Sequence, residues 1–448
     1  MITKLLIANR GEIARRIIRT CKRMGISTVA VYSDADESAL FVKEADERVR
    51  IGPPPVAESY LKIDAILEAA QQTGADAIHP GYGLLSEHAD FAKRVRQQGL
   101  IFVGPPEAAI AAMGSKVEAR RRMSATGLPI VPGTENALAS LEEAIEAAER
   151  IGYPVMLKAS SGGGGIGMQI IRDAEELKKA FAGSQARAAS YFGNGDLFLE
   201  KYIEKPHHVE IQVLLDRQGN GVHLGDRECS IQRRHQKVVE EAPSPLLSAA
   251  LRQEMGSKAV QAALSLGYEG VGTFEFLADE SGNYYFLEMN TRLQVEHPVT
   301  EQITGLDLVE WQLRVASGES LTFQQQDVHF HGHSIEARVY AEDPVRGFPS
   351  PGKLQVLDLP EGMEGVRLDF GFQSGDTITP FYDPLIGKLV VTASTRAEAI
   401  QLLQKALNTC QITGIKSNLP QLQAIAKDER FLQGLTDTSF LTGLSLNS

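Results

Sequence analysis

Two rhythms of apolar and polar positions run along the 448-residue chain. As far as about residue 110, short unbroken apolar runs alternate with segments of helical period. The runs at 4–8, 28–32, 75–79 and 100–103 read as buried strands, and the stretches to about Met24 and near 60–72 and 87–97 as amphipathic helices. This βα alternation predicts a parallel sheet with helices on both faces, because a parallel crossover needs a helix's length of chain to return. Ligands of such sheets sit beyond the carboxyl ends of the strands. There Asn9-Arg10, the loop His79-Pro80-Gly81-Tyr82-Gly83 and Gly104-Pro105 supply polar groups.

From residue 115 the texture changes. A basic helix at 115–126 reads as a link between domains. A helix at 141–150, strands at 154–159 and 168–172, a long helix at 174–191 and a strand at 197–202 then make a small α+β unit, with a glycine run at its tip. Beyond 204 strands dominate to 290. A mixed region follows, with strands near 333–341, 352–358 and 385–392 and a helix at 396–408. The expected division is an N-terminal α/β domain over 1–114, a linker helix over 115–130, the small unit over 131–203 and a C-terminal part over 204–448.

Composition narrows the function classes. A net charge of −12 opposes nucleic-acid binding, which needs a basic surface. Cys21, Cys229 and Cys410 lie far apart without metal-ligand spacing and point to a reducing compartment. No signal-like apolar region follows the N-terminus and no apolar run reaches transmembrane length, so the chain is expected to be cytoplasmic and to engage no membrane.

The strongest chemical signal spans residues 283–297. Asn283-Tyr284-Tyr285-Phe286-Leu287 reads as a buried strand, yet its continuation carries a polar group at every second position. If the chain stays extended, period-two spacing puts Glu288, Asn290, Arg292, Gln294 and Glu296 on one face. Gly272-Thr273-Phe274-Glu275-Phe276-Leu277 is a second apolar strand interrupted by a carboxylate. Two glutamates on neighbouring strands, with Asn290 beside them, make an oxygen-only cluster suited to Mg2+, with Mn2+ as a substitute.

The glycine run carries a decoy. Gly162, Gly164 and Gly167 match the spacing of a dinucleotide fingerprint, but a strand rather than a helix follows, and no Gly-Lys-Ser/Thr closes the run as a Walker loop. It reads instead as a hairpin flap whose bare N–H groups close over phosphates. Lys158, alone in the apolar strand before it, is costly to bury unless it meets an anion. Lys116, at the start of the linker helix, is a second candidate phosphate partner. Glu200-Lys201-Tyr202-Ile203 ends a strand with an edge suited to hydrogen-bonding a base. The basic run Gln232-Arg233-Arg234-His235-Gln236-Lys237, between two strands, offers the positive side of an anion site.

Taken together, the stretches 7–14, 79–87, 158–168, His208-Val209-Glu210-Ile211-Gln212, 227–243 and 288–300 resemble one family. It is the biotin carboxylase component of biotin-dependent acyl-CoA carboxylases of the acetyl-CoA type, within the ATP-grasp superfamily. The resemblance covers essentially the whole chain. It implies an ATP-grasp fold, mixing α/β and α+β parts, with an N-terminal Rossmann-like parallel-sheet domain, a mobile lid over 131–203 and a C-terminal mixed domain. Lys116, Lys158, His208 and the main chain at Gly164 and Gly165 would then hold ATP, assisted by Gln232 and His235, with Leu277 in the same nucleotide set. Glu200 and the backbone of Lys201 and Ile203 would read adenine, and Glu275, Glu288 and Asn290 would bind magnesium. Lys237, Arg292, Gln294, the Val295 backbone and Glu296 would form the bicarbonate site, with Glu296 as general base. Arg338 and Tyr82 would lie by the biotin ring. The implied reaction is ATP-dependent carboxylation of biotin by bicarbonate through carboxyphosphate.

Two positions depart from the resemblance. Ile166 stands where members of the family commonly carry a basic residue, and His207 where arginine is common. Loss of the flap charge would weaken closure over ATP. No Ala-Met-Lys-Met-like attachment site occurs, so biotin is expected on a separate carrier protein and the carboxyltransferase on a further subunit. The family also implies a homodimer. The competing readings are another ATP-grasp carboxylate ligase, which would have no use for Arg338 with the 294–296 set, and a nucleotide-binding subunit with impaired catalysis.

Overall fold

The computed structural model describes residues 1–134, 136–159, 168–192, 195–234 and 236–444. Gly164, Gly165, Ile166 and His235 lie outside the described residues. The first strands, β1 (Lys4–Ile7), β2 (Ser27–Ser33), β3 (Glu47–Gly52), β4 (Ala77–His79) and β5 (Ile101–Phe102), form a parallel sheet of order β3-β2-β1-β4-β5. Helix α1 (Gly11–Met24) follows β1. The apolar rhythm misses β3, because this edge strand carries Glu47, Arg48 and Arg50 in place of an apolar run; charged edges are how open sheets resist further pairing.

Strand order reverses between β1 and β4, so the loops beyond their carboxyl ends face one crevice. Asn9 closes it, its amide donating to the carbonyls of Pro80 and Tyr82, each at 2.8 Å. Gly81 adopts φ +64° beside it, where an added Cβ would lie 2.7 Å from that amide nitrogen; only glycine fits both constraints.

The helix Lys116–Ala125, capped by Ser115, leads into the small unit. There β6 (Val155–Ala159), β7 (Gln169–Ile171) and β8 (Leu197–Lys201) pair antiparallel in the order β7-β6-β8, backed by the helices Leu141–Ile151 and Ala174–Phe192. Leu157, Ile171, Leu199, Ala148 and Leu177 form its separate core. Because β6 and β7 are antiparallel neighbours, the glycine run joins the two strands of a hairpin, and the dinucleotide reading is excluded.

The remainder is organised by one antiparallel sheet of eight strands. Its members are β9 (His207–Leu215), β10 (Gly221–Arg233), β11 (Gln236–Ala242), β12 (Gly270–Ala278), β13 (Tyr284–Asn290), β14 (His333–Tyr340) and the strands Val366–Phe370 and Leu385–Ala393. The order is β13-β12-β9-β10-β11-β14, then Leu385–Ala393 and Val366–Phe370. A helix over Ala249–Ser265, not anticipated in the strand-dominated region from 204 to 290, packs across β9 and β10. Its buried side is largely alanine, with Gly256 set against His223, so its apolar stripe is faint although its helix propensity is high.

Register decides which charges meet. Glu275 on β12 lies opposite Glu288 on β13 and opposite Glu210 on β9, and Glu210 lies opposite Arg227 on β10. The polar run does not stay extended as far as Glu296: β13 ends at Asn290, and residues 291–296 form a loop into the helix His297–Thr304. The ladder is abandoned because the Thr291 N–H donates to the Glu87 carboxylate at 3.0 Å and Arg292 binds the same group. Pro298 then favours the first helical turn. Among the described residues, no helix is long and apolar enough to cross a membrane.

Candidate active site

A cavity of about 2340 Å³ opens between the parallel sheet, the small unit and the eight-stranded sheet. Every described candidate residue lines it: Tyr82, Lys116, Lys158, Glu200, Lys201, Ile203, His208, Gln232, Lys237, Glu275, Leu277, Glu288, Asn290, Arg292, Gln294, Val295, Glu296 and Arg338. Tertiary structure therefore brings together residues up to 256 positions apart, counted from Tyr82 to Arg338.

One end of the cavity is a dense charge cluster. The Lys237 ammonium contacts Glu210, lies 2.6 Å from Glu296 Oε1 and 3.2 Å from Glu275 Oε1. Arg338 Nη2 reaches Glu296 Oε2 at 2.9 Å and contacts Glu240. Glu296 is thus gripped on both oxygens by two cations while buried. Burial would raise its carboxyl, but Lys237 and Arg338, then Arg227, outweigh it and hold the group well below the usual carboxylate range. Burial likewise opposes the Lys237 charge, and Glu210, Glu275 and Glu296 hold the ammonium well above its ordinary value.

Arg292 does its work in the loop rather than on a strand. It donates to Glu87 at 2.9 Å, to Asn290 Oδ1 at 2.6 Å and to Gln294 Oε1 at 2.9 Å, so the loop's polar residues still converge. Gln294 and Asn290 in turn donate to Glu275 Oε1, at 2.9 and 2.8 Å, and His208 Nε2 lies 2.8 Å from its other oxygen. Burial raises Glu275 but Lys237 and His208 bring it well below its ordinary value.

Glu288 differs. Among the described residues its side chain forms no hydrogen bond or ion pair, and burial together with the Glu275 charge raises its carboxyl, against the weaker pull of Lys116 and His208. Two facing carboxylates of which one lacks a cation fit a hard divalent ion. Asn290 fits less directly, since its carbonyl oxygen already accepts from Arg292.

In the nucleotide region of the cavity, Lys158 and Arg120 both contact the Glu200 carboxylate. The Lys201 N–H donates to Pro132 O at 2.7 Å and the Thr134 N–H to Leu199 O at 2.8 Å, so residues 132–134 cover that edge of β8. The departure at His207 is buried, its Nδ1 3.4 Å from Glu228; burial lowers it and Glu228 more than compensates, raising its proton affinity.

The sequence reading assigned no role to Glu210, Arg227, Glu240, Arg120 or Glu87. Arg227, wholly buried, is held by Glu210 at 2.9 Å, Gln212 at 2.6 Å, Thr300 at 3.0 Å and Thr273 at 3.1 Å. The available signal was Glu210 and Gln212 alternating within an apolar strand, the same interruption that singled out Glu275.

Family models match the chain in three consecutive pieces. They are the biotin carboxylase N-terminal domain over residues 1–110, the ATP-binding domain of the carbamoyl-phosphate synthase L chain over 115–324, and the biotin carboxylase C-terminal domain over 336–443. The chain is 57% identical to a biotin carboxylase of Halalkalibacterium halodurans, over 99% of this chain and 98% of that one. It is 55% identical to biotin carboxylase 2 of Bacillus subtilis, over 98% and 99%. Among solved structures, it resembles the biotin carboxylase domain dimer of the 2-oxoglutarate carboxylase of Hydrogenobacter thermophilus, in complex with MgADP, ADP and bicarbonate. That match has 49% identity and a TM-score of 0.91 and covers 99% of this chain and 97% of that one. With consecutive domain models along its length and relatives more than half identical end to end, the chain belongs to the biotin carboxylase family and has its ATP-grasp fold.

Proposed function

We propose that this protein carboxylates biotin with bicarbonate at the expense of ATP, as the first half-reaction of an acyl-CoA carboxylase of the acetyl-CoA type. The observation that carries the reading is the convergence of Lys237 and Arg338 on the buried Glu296, beside the facing pair Glu275 and Glu288. This juxtaposes an anion site holding a carboxylate base with a site for a metal-bound nucleotide.

In this reading Glu275 and Glu288 hold Mg2+, with Asn290 nearby, and the ion would neutralise charge on the transferred phosphoryl oxygens. Lys116, Lys158 and His208 bind phosphates, Glu200 with the Lys201 and Ile203 backbone reads adenine, and Leu277 packs in the same region. Arg292, Gln294 and the Val295 backbone orient bicarbonate. Lys237 and Arg338 keep Glu296 ionised. Bicarbonate draws these cations toward a second anion, which restores basicity to Glu296 as it takes the bicarbonate proton. The bicarbonate oxygen attacks the γ-phosphorus, ADP leaves, and carboxyphosphate breaks down to carbon dioxide and phosphate. That phosphate accepts the N1′ proton of biotin, Arg338 stabilises the enolate oxygen, and the ureido nitrogen attacks carbon dioxide. Enclosure in the cavity keeps water from the labile intermediate.

Biotin arrives on a carrier protein and leaves to a carboxyltransferase, and the chain works as a homodimer in the cytoplasm, where Cys21, Cys229 and Cys410 stay reduced. The 1–114, 115–130, 131–203 and 204–448 divisions serve as crevice, linker, lid and catalytic body. Phosphate release from MgATP, measured with and without bicarbonate and free biotin, tests the reading. Release that requires bicarbonate and rises with biotin is expected; release indifferent to both points to another ATP-grasp ligase. Glu296→Ala is expected to abolish bicarbonate-dependent cleavage while nucleotide binding, followed by calorimetry, survives. Loss of both would defeat the assignment of the base.

A further inference from the structure

At the wall of the cavity, which Glu12 helps to line, lies a second ion pair that the chemistry above does not use. Lys388, on the strand Leu385–Ala393, is wholly buried. Its ammonium donates to the Val295 carbonyl at 2.8 Å and lies 3.1 Å from Glu12 Oε1. Glu12 sits in the first turn of α1, and the same oxygen accepts the hydroxyl of Tyr82. Its other oxygen, also buried, has no hydrogen-bond partner among the described residues. The start of α1 packs closely against residues 370–371: a Cβ on Gly371 would come within 2.8 Å of the Glu12 nitrogen, and Arg15 donates to the Phe370 carbonyl.

Resting on the proposed function, we propose that Glu12 and Lys388 are positioning residues that set the distance and orientation between the biotin side of the cavity and its bicarbonate side. One ion pair ties together three segments far apart in sequence. Lys388 fixes the plane of the 295–296 peptide, and a planar peptide passes that constraint directly to the backbone carrying Glu296. Glu12 holds the hydroxyl end of Tyr82 while Asn9 holds its carbonyl, so the ring is anchored at both ends. An apolar pair of equal volume would fasten the domains as well or better, since a buried ion pair gives little net stability. What it would not do is orient a carbonyl and a hydroxyl. Transfer of a carboxyl group between two subsites depends on such alignment, where a displacement of an ångström costs about a hundredfold in rate.

The test separates the two sides. Wild type, Glu12→Gln, Tyr82→Phe, the double variant and Lys388→Met are assayed for bicarbonate-dependent ATP cleavage without biotin, and again with free biotin titrated. Glu12→Gln and Tyr82→Phe are each expected to raise KM for biotin about tenfold, the scale of one hydrogen bond to a charged group. Glu12→Gln should leave the bicarbonate KM of the biotin-free reaction within about twofold. The double variant should be no worse than the poorer single one, because both remove the same link. Lys388→Met should raise both KM values. Equal losses of kcat in both assays at unchanged KM, or multiplicative effects in the double variant, would overturn the proposal. If Lys388→Met does not fold, the Glu12–Tyr82 cycle decides alone. A wild type lacking bicarbonate-dependent cleavage would instead defeat the proposed function itself.

Discussion

Glu210 and Arg227 offer the sharpest quantitative test of the buried charge cluster. Both side chains are fully buried, and among the described residues Arg227 forms its ion pair with Glu210. Glu210→Gln removes that charge but keeps an acceptor, leaving a buried guanidinium with neutral partners. Breaking a buried ion pair from one side costs about 3–5 kcal/mol, and the retained acceptor puts this case near the lower end, at about 3 kcal/mol. Arg227→Met strands Glu210 less completely, because Lys237 still contacts it, and should cost a similar amount. In the double variant neither stranded charge remains, and Lys237 keeps Glu275 and Glu296. Its cost should therefore match one single variant rather than both together. The chain's one tryptophan, Trp311, packs in the core that includes Leu214, Val222 and Val271 of β9, β10 and β12, so its fluorescence follows the relevant sheet. With a urea m-value of about 3 kcal/mol/M, each single variant should move the Trp311 midpoint by about 1 M. A shift under about 0.3 M for Glu210→Gln, or additivity in the double variant, would refute the view that the cluster's partners are mutually required.

Three further outcomes follow from the same charges. Asp369 is buried; burial would raise its carboxyl, but Arg367, Arg19 and Lys388 hold it far below the ordinary value. Its folded pKa lies below its unfolded one, so it contributes stability above about pH 4 that is lost as pH falls further; Asp369→Asn should flatten the fall in Trp311 midpoint on acidification, and an unchanged slope would contradict this. Glu200→Gln releases Lys158 and Arg120 and should raise KM for ATP about tenfold with KM for bicarbonate unchanged, whereas a parallel rise in both would implicate general disorder. Stripping divalent ions with EDTA should abolish ATP cleavage, restored by Mg2+ or Mn2+, while the melting curve stays within about 2 °C, because Glu275 is already paired with His208 and Lys237; a large fall would mean that the ion is structural.

Much of the site was legible before any coordinates, and for one physical reason. A charged residue inside an apolar strand is costly without a partner, and both that stood out, Lys158 and Glu275, line the cavity, where Glu200 pairs with the first and Lys237 and His208 with the second. The antiparallel pair of strands flanking the glycine run was legible too, and it excludes the helix N-terminus that a dinucleotide site needs. The loop from Asn290 to Glu296 was misread as extended strand: alternation describes the residues, but Glu87, contributed by a different sheet's connection, takes the backbone out of the ladder.

Local sequence by itself determined the parallel βα crevice, the pairing of β6 with β7 and the charged residues that line the cavity, because periodicity and the cost of burying charge act within a few residues. It also determined the family, through motifs spread along the chain. Only the tertiary structure decided which charges meet. Glu210 opposite Arg227 depends on strand register, and Arg338 shared between Glu240 and Glu296 and Lys388 joining Glu12 to Val295 depend on contacts between separate segments of the chain. A side chain's partner in a sheet is set by the register of its neighbour strand, and a local run of residues does not state that register even where, as for β9 and β10, the two strands are consecutive.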